Sequence, residues 1–346
     1  MGGKNLEERR TVMEYRERLL IRFMTALVTS VILFLPLFAF AGGTVHEPLG
    51  AEDYLIGVAP PPSIAAKVYL NWYHAGNLKD NSGNTLRSPS LDKLNVFAEV
   101  NRILIITPLK FDIGGFTGFV NGHVVAPLVK VNLHLDATPA GPDIVDQAHS
   151  GLADVTFGPG IAWHHKSGFL HGITAVDIIA PTGFYSKRNA VNIGTNDWSV
   201  APVLIFTVLP PFYPNIDVSI KFAYTFNFKN NDVLGAAGTP FAGTRTWLTP
   251  GNEFSFDFDV MHALWGPGPG MQFRGGMGGY FYLQTTDDKR GDIGTVRDDK
   301  GRVFAIGPAL FFDYKMWIFS AHVYWEMAAK NRPQGVTPQV TVLCKF

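Results

Sequence analysis

Acyl hydrolysis needs a serine within hydrogen-bond reach of a histidine that a third group orients. The ten histidines of this chain offer few such places. Ser320 and His322, two residues apart, share one face of any strand that holds them. His262 has no serine on its own face of Glu253 to Leu264. His164, His165 and His171 surround a short turn where a metal would need further ligands, and His149 and Asp154 are sparser still. No phosphate-cradling glycine loop, dinucleotide fingerprint or paired-carboxylate motif is present. The sequence therefore assigns no catalytic residue, no metal and no cofactor.

A second kind of chemistry, binding, lies in polar and aromatic residues spaced by two. Lys67, Tyr69, Asn71 and Tyr73 form one such series; Asp217, Lys221, Thr225 and Asn227 form another. Glu253, Asp257 and Asp259 follow, then Gln272, Arg274, Tyr280, Tyr282 and Gln284, then Ser320, His322, Tyr324 and Glu326. Rings that stack beside groups that hydrogen-bond suit an amphiphilic solute such as a phenol or an aromatic acid.

A period of two requires strands to position these residues. Asp217 to Lys229 sets Val218, Ile220, Phe222, Tyr224, Phe226 and Phe228 opposite its polar series. Glu253 to Leu264 sets Phe254, Phe256, Phe258, Val260, His262 and Leu264 opposite Glu253, Ser255, Asp257, Asp259, Met261 and Ala263. The two ends of the chain decide what the apolar faces meet. Arg16, Arg18 and Arg22 precede the uncharged run Phe23 to Ala41, and Ala39-Phe-Ala41 supplies the small-x-small pattern of a cleavable export signal. Residues 1–41 are accordingly read as a signal peptide, with a helical membrane anchor as the alternative, and 42–346 as one domain. At the other end Val340, Val342, Cys344 and Phe346 alternate with Thr341, Leu343 and Lys345, and the chain stops on an aromatic side chain. Barrels of the bacterial outer membrane commonly end this way, so Phe346 is expected to serve as the C-terminal assembly signal.

Hydrophobic residues make up 47% and charged ones 17%, lean in charge for a soluble chain. A formal net charge of zero argues against nucleic acid as partner. Twelve strands are expected: Ile64 to His74, Leu94 to Thr107, Phe116 to Leu135, Leu152 to His164, Phe169 to Thr182 and Asp197 to Val208, then Ile216 to Lys229, Glu253 to Leu264, Met271 to Thr285, Arg302 to Asp313, Met316 to Met327 and Pro338 to Phe346. Connections alternate long and short, the rhythm of an all-β, antiparallel up-and-down transmembrane barrel with both termini on the periplasmic side. Hydrocarbon offers backbone groups no partner, so such a sheet must close.

The chain resembles the outer-membrane transporters grouped as the "MetA-pathway of phenol degradation" family. The resemblance rests on Pro60-Pro-Pro62, Asn71-Trp-Tyr-His74, Asp80-Asn-Ser-Gly-Asn84, Ser150-Gly-Leu-Ala-Asp154, Gly158-Pro-Gly160, Pro181-Thr-Gly-Phe-Tyr185, Gly307-Pro-Ala-Leu310 and Asn331-Arg-Pro333. It implies the bacterial outer membrane, a barrel and transport of small, aromatic or hydrophobic compounds, and it carries over no catalytic residue. Membrane lipid, lipopolysaccharide, the barrel assembly machinery and a small-molecule solute are the partners expected of such a barrel.

With apolar faces toward lipid, the solute-contact candidates are Lys67, Tyr69, Asn71, Tyr73, Lys221, Asp257, Asp259, Arg274, Tyr280, Tyr282, His322 and Glu326. Lys221 and Arg274 are expected beside Asp257, Asp259 or Glu326, because charges at membrane depth must be paired. Gly42 to Ser63 is expected to be irregular at its prolines, and it or an inward loop to plug the lumen. Arg102, in phase with Val96, Ala98 and Val100, would point at lipid unless a bulge near Asn101 turns it. Phe241 and Trp247 in the loops would gate the mouth or touch lipopolysaccharide. A barrel that binds lipid or ligand without transporting it, and a lipid hydrolase, are the alternative functions.

Overall fold

Alternating sequences become a closed wall. The computed structural model describes residues 46–346 apart from 47, 53, 88, 138–142, 214, 236–239, 241 and 269. All of them belong to the one unit Phe38–Phe346. The signal segment, with Ala39 and Ala41, and Phe241 lie outside the described residues.

Among the described residues seventeen strands follow in chain order: β1 (Ser63–Lys79), β2 (Ser90–Ile113), β3 (Phe116–Asp136), β4 (Asp143–Leu152), β5 (Val155–His165), β6 (Leu170–Ala180), β7 (Ser199–Val208), β8 (Ile216–Asn227), β9 (Asn230–Leu234), β10 (Arg245–Thr249), β11 (Glu253–Gly268), β12 (Met271–Gln284), β13 (Lys289–Arg290), β14 (Gly294–Thr295), β15 (Arg302–Tyr314), β16 (Trp317–Lys330) and β17 (Arg332–Lys345). Thirteen form one sheet, closed because β2 pairs with both β1 and β3. β4 and β5 both pair with β3 and are two halves of one wall strand. The wall thus has the expected twelve strands, and β9, β10, β13 and β14 build a small second sheet in the long loops. There Asp232 takes Lys187 at 2.6 Å and Arg245 at 2.9 Å. The hydrogen bond from Lys187 holds the Asp232 carboxyl below its ordinary range.

The outer face is an aromatic ladder. Phe222, Phe256 and Phe281, on β8, β11 and β12, meet at 6.0 and 5.6 Å between ring centroids, and Phe258 stacks on Phe304 of β15 at 6.2 Å. β3 shows where lipid ends. Val120 and Val124 face outward and are exposed, and the outward series from Phe116 to Leu128 spans ~30 Å along the barrel axis at ordinary rise and tilt. Beyond Pro127 the polarity inverts: Lys130, Asn132 and His134 face out, while Val129 and Val131 are buried inside with Leu94, Ala98 and Val100 of β2. Val96, Ala98, Val100 and Arg102 all face the lumen, and the β2 to β3 register runs unbroken from Lys93 to Ile106. The expectation that Arg102 needs a bulge is therefore corrected; the apolar residues preceding it belong to an inner core above the bilayer.

Proline donates no ladder hydrogen bond, and pairing lapses without a change of register at Pro159, Pro202, Pro308 and Pro338. At the Pro308 lapse, a Cβ on neighbouring Gly307 would land on the carbonyl oxygen of Val323. Gly307→Val should therefore abolish the compact species seen in unheated denaturing gels. Gly76→Ala, where an added Cβ meets only the carbonyl oxygen of Asp92 at 3.6 Å, should retain it.

Candidate functional site

Twelve strands enclose more space than their own side chains fill, and here the chain segment before β1 fills it. His46 lies at the long-loop end, beside Glu253 at the start of β11 and Asp197 just before β7. Pro60-Pro-Pro62 leads into β1 at the short-turn end. The first described residue is thus at the opposite end from the start of β1. Midway, a tight turn is closed by a bond from Val58 N to Leu55 O at 2.8 Å.

A segment inside a barrel has no ladder, so its backbone groups take side-chain partners from the wall. Gly50 N donates to Asp257 Oδ1 at 2.9 Å, Gly57 N to Thr207 Oγ1 at 2.9 Å, and Gln339 Nε2 to Ala51 O at 3.5 Å. Charges add three clamps. His46 sits 2.9 Å from Glu253 and 3.5 Å from Asp197. Glu52 meets the Arg102 guanidinium and lies 3.7 Å from Lys67. Tyr54 lies under Arg274 at 5.0 Å and against Phe311 at 3.8 Å. From Glu52 the network continues through Arg102 to His123 Nδ1 at 3.1 Å, and from His123 Nε2 to Asp177 at 3.3 Å. His123 can lie across the wall there because Gly158 has no side chain; a Cβ would meet the imidazole.

The two sides of the lumen differ. Ile173, Ala175, Val203, Ile205 and Ala223 make an apolar inner wall on β6 to β8, against which Ile56 and Ala59 pack. Facing it, β11, β12 and β16 present Asp257, Asp259, Tyr280, Tyr282, Tyr324 and Glu326, all buried. Between the segment and the apolar wall remains a cavity of about 40 Å³, bordered by Glu52, Arg102, Lys221, Val100, Ile173 and Val203. At ~10–15 Å³ per water this holds about three. Above it, the connection from β6 to β7 folds over the mouth. Asp154 fastens it, accepting from Gly183 N at 2.8 Å and from Thr195 N and Oγ1 at 2.7 and 2.9 Å. Ile193 of that connection joins the inner core of β2 and β3.

Every solute-contact candidate faces inward. Tyr69, Lys221, Asp257, Asp259, Arg274, Tyr280, Tyr282, His322 and Glu326 are buried, and Lys67, Asn71 and Tyr73 are half-buried. The expected pairing is only partly right. Lys221 is the cross-strand neighbour of Asp257, but Arg274 binds Asp217 at 2.7 Å. Glu326 accepts from Tyr73 at 2.7 Å and Tyr280 at 3.0 Å and lies 3.6 Å from Arg332. His46, Glu52, His123 and Asp177 were not singled out. Their signal was faint: isolated ionisable residues within otherwise apolar or proline-rich stretches. His262 is exposed on the outer face, whereas Ser320 and His322 are buried in the lumen, His322 stacking on Tyr324 at 5.3 Å. Trp247 stacks under Lys229 at 4.4 Å. Groups of three or more metal-ligating side chains are absent among the described residues.

The model of the family described as "Putative MetA-pathway of phenol degradation" matches residues 75–341. The lumen segment and most of β1 precede that match. Among solved structures, the chain is similar to the COG4313 outer membrane channel from Pseudomonas putida F1, at 16% identity and TM-score 0.67, over 86% of this chain and 100% of that one. The β-domain of the Bordetella autotransporter BrkA is similar at 10% identity and TM-score 0.46, over 83% and 100%. No curated protein matches the chain. The fold is that of an outer-membrane β-barrel.

Gly50 has φ 65°, and a Cβ there would lie 2.7 Å from Tyr280 and 2.9 Å from Tyr324. Left-handed backbone alone costs a non-glycine residue ~1–2 kcal/mol. By that same cost, Gly50→Val should shift the segment out of the lumen about 5- to 30-fold, read as raised single-channel conductance of a barrel that still folds.

Proposed function

The chain belongs to the family "MetA-pathway of phenol degradation", and from that premise we propose that it is a plugged outer-membrane channel admitting small aromatic or hydrophobic compounds. One observation carries this reading: the segment His46 to Pro62 fills the lumen, yet leaves a space beside an apolar inner wall. An open pore for hydrated ions would gain nothing from such a wall. A small solute with an apolar body and one or two polar groups matches both sides of the lumen. Lys67, Tyr69, Asn71, Tyr73, Lys221, Asp257, Asp259, Arg274, Tyr280, Tyr282, His322 and Glu326 are its contacts in this reading.

The same proposal includes export by residues 1–41 with cleavage after Ala39-Phe-Ala41, and delivery to the assembly machinery through Phe346. It further includes lipopolysaccharide around the outward Lys130, Asn132 and His134. The protein acts without catalysis in this reading. A lipid hydrolase would need its serine and histidine where acyl chains lie, and Ser320 and His322 are on the inner side of the wall.

The segment can be locked. Tyr54 of the segment and Phe311 of the wall meet at 3.8 Å between ring centroids, so Tyr54→Cys with Phe311→Cys, in a Cys344→Ser background, should be bridged by a short bifunctional reagent that joins the two thiols through disulfides. Cross-linked proteoliposomes should exclude small phenols and reduction should restore their entry. Equal flux in both redox states would remove the segment from the transport path.

A further inference from the structure

We propose that the tyrosine cradle now occupied by Leu49 and Gly50 is a binding subsite for monocyclic aromatic compounds that carry a hydrogen-bond donor, such as phenols and anilines, and that it rejects aromatic carboxylates. It deepens, and rests on, the reading of the barrel as a solute passage.

The cradle is built before any ligand arrives. Tyr280 and Tyr324 meet edge to face at 5.6 Å. Glu326, which accepts the Tyr280 hydroxyl at 3.0 Å, fixes that ring, and His322 backs Tyr324 at 5.3 Å. Tyr282 lies under Arg332 at 4.9 Å. Leu49 packs on this cluster, and Gly50 enters between two rings where no side chain fits. A flat ring has the thickness to replace that glycine and leucine, and aromatic faces favour it over an aliphatic group of equal area.

What the cradle loses when the segment leaves decides the selectivity. Asp257 then lacks the N–H of Gly50, its buried partner at 2.9 Å. Losing that donor turns a carboxylate oxygen toward the vacated space, where a ligand that brings a donor replaces it. A phenol or aniline does; a carboxylate has only acceptors. Two cations border the cradle, Lys221 beside Asp257 in the sheet and Arg332 over Tyr282, and neither reverses this, because Asp257 and Asp259 stay beside the first and Glu326 lies 3.6 Å from the second. A site that hydrogen-bonds its ligand rejects analogues lacking the group far better than an apolar pocket rejects a change of size.

The test is equilibrium binding to the full mature barrel in detergent, by isothermal titration and ligand-observed NMR, with phenol, aniline, toluene and benzoate as probes. Phenol and aniline should bind ~10-fold or more tighter than toluene and benzoate, the donor being the difference. Tyr324→Leu should weaken phenol ~10-fold through loss of the ring contact. Asp257→Asn, whose amide can donate to a carboxylate, should narrow the gap between phenol and benzoate. Benzoate binding as tightly as phenol to the unaltered protein would overturn the proposal. So would phenol binding unchanged in a folded Tyr324→Leu barrel, or a phenol-to-benzoate ratio unmoved by Asp257→Asn. Because no membrane is crossed, a barrel that binds phenol yet passes none would refute the channel reading and leave the subsite standing.

Discussion

A peptide segment placed inside a barrel has no strand beside it, and much of this lumen answers that constraint. Its amides and carbonyls must be met by side chains, since the wall's own backbone groups are committed to the ladder. Asp257, Thr207 and Gln339 are those side chains. The charged clamps at His46, Glu52 and Tyr54 fix the same segment laterally. Breaking a buried pair of this kind costs ~3–5 kcal/mol because one charge stays behind, so the clamps hold a register more than they add stability. Part of the lumen's mixture of acids, bases and tyrosines is thus spoken for by the protein's own chain.

The wall itself was legible in the sequence because a single physical rule generates it. Each of the twelve expected strands corresponds to one wall strand, and Asp217 to Lys229 and Glu253 to Leu264 keep strict phase since both faces are constrained at every step, one by lipid and one by the lumen. Where that double constraint ends, so does the phase. On β3 the apolar series passes from Val120 and Val124 to Val129 and Val131, changing parity at Pro127. The chain leaves the bilayer there and builds an ordinary core roofed by the connection that Asp154 fastens. Reading Val96, Ala98 and Val100 as lipid-facing failed for this reason. Apolar residues mark a dry surface without saying which dry surface it is.

Charge pairing was less legible. Arg274 finds Asp217 and not Asp257, and Arg102 finds Glu52, because partners across a lumen are set by strand stagger and by a segment whose path alternation cannot reveal. Fragments such as Ser150-Gly-Leu-Ala-Asp154 and Pro181-Thr-Gly-Phe-Tyr185 were recognisable as signature, but their purpose emerged only in three dimensions. Asp154, too isolated in sequence to suggest catalysis, is a fastener between the two fragments. Gly158, within a third fragment, makes room for His123.

The seam between β1 and β17 has a consequence for how the molecule is made. Phe346 N donates to Ile64 O at 2.8 Å, so the last residue of the chain completes a cylinder whose interior already holds residues that precede the first strand. If residues 46–62 lie along the concave face of the sheet while it is still open, the final hairpin encloses them as it pairs with β1, with no end-on threading. Sealing the seam and enclosing the segment would then be one event, with a stretch that precedes the first strand serving as a template for the last ones.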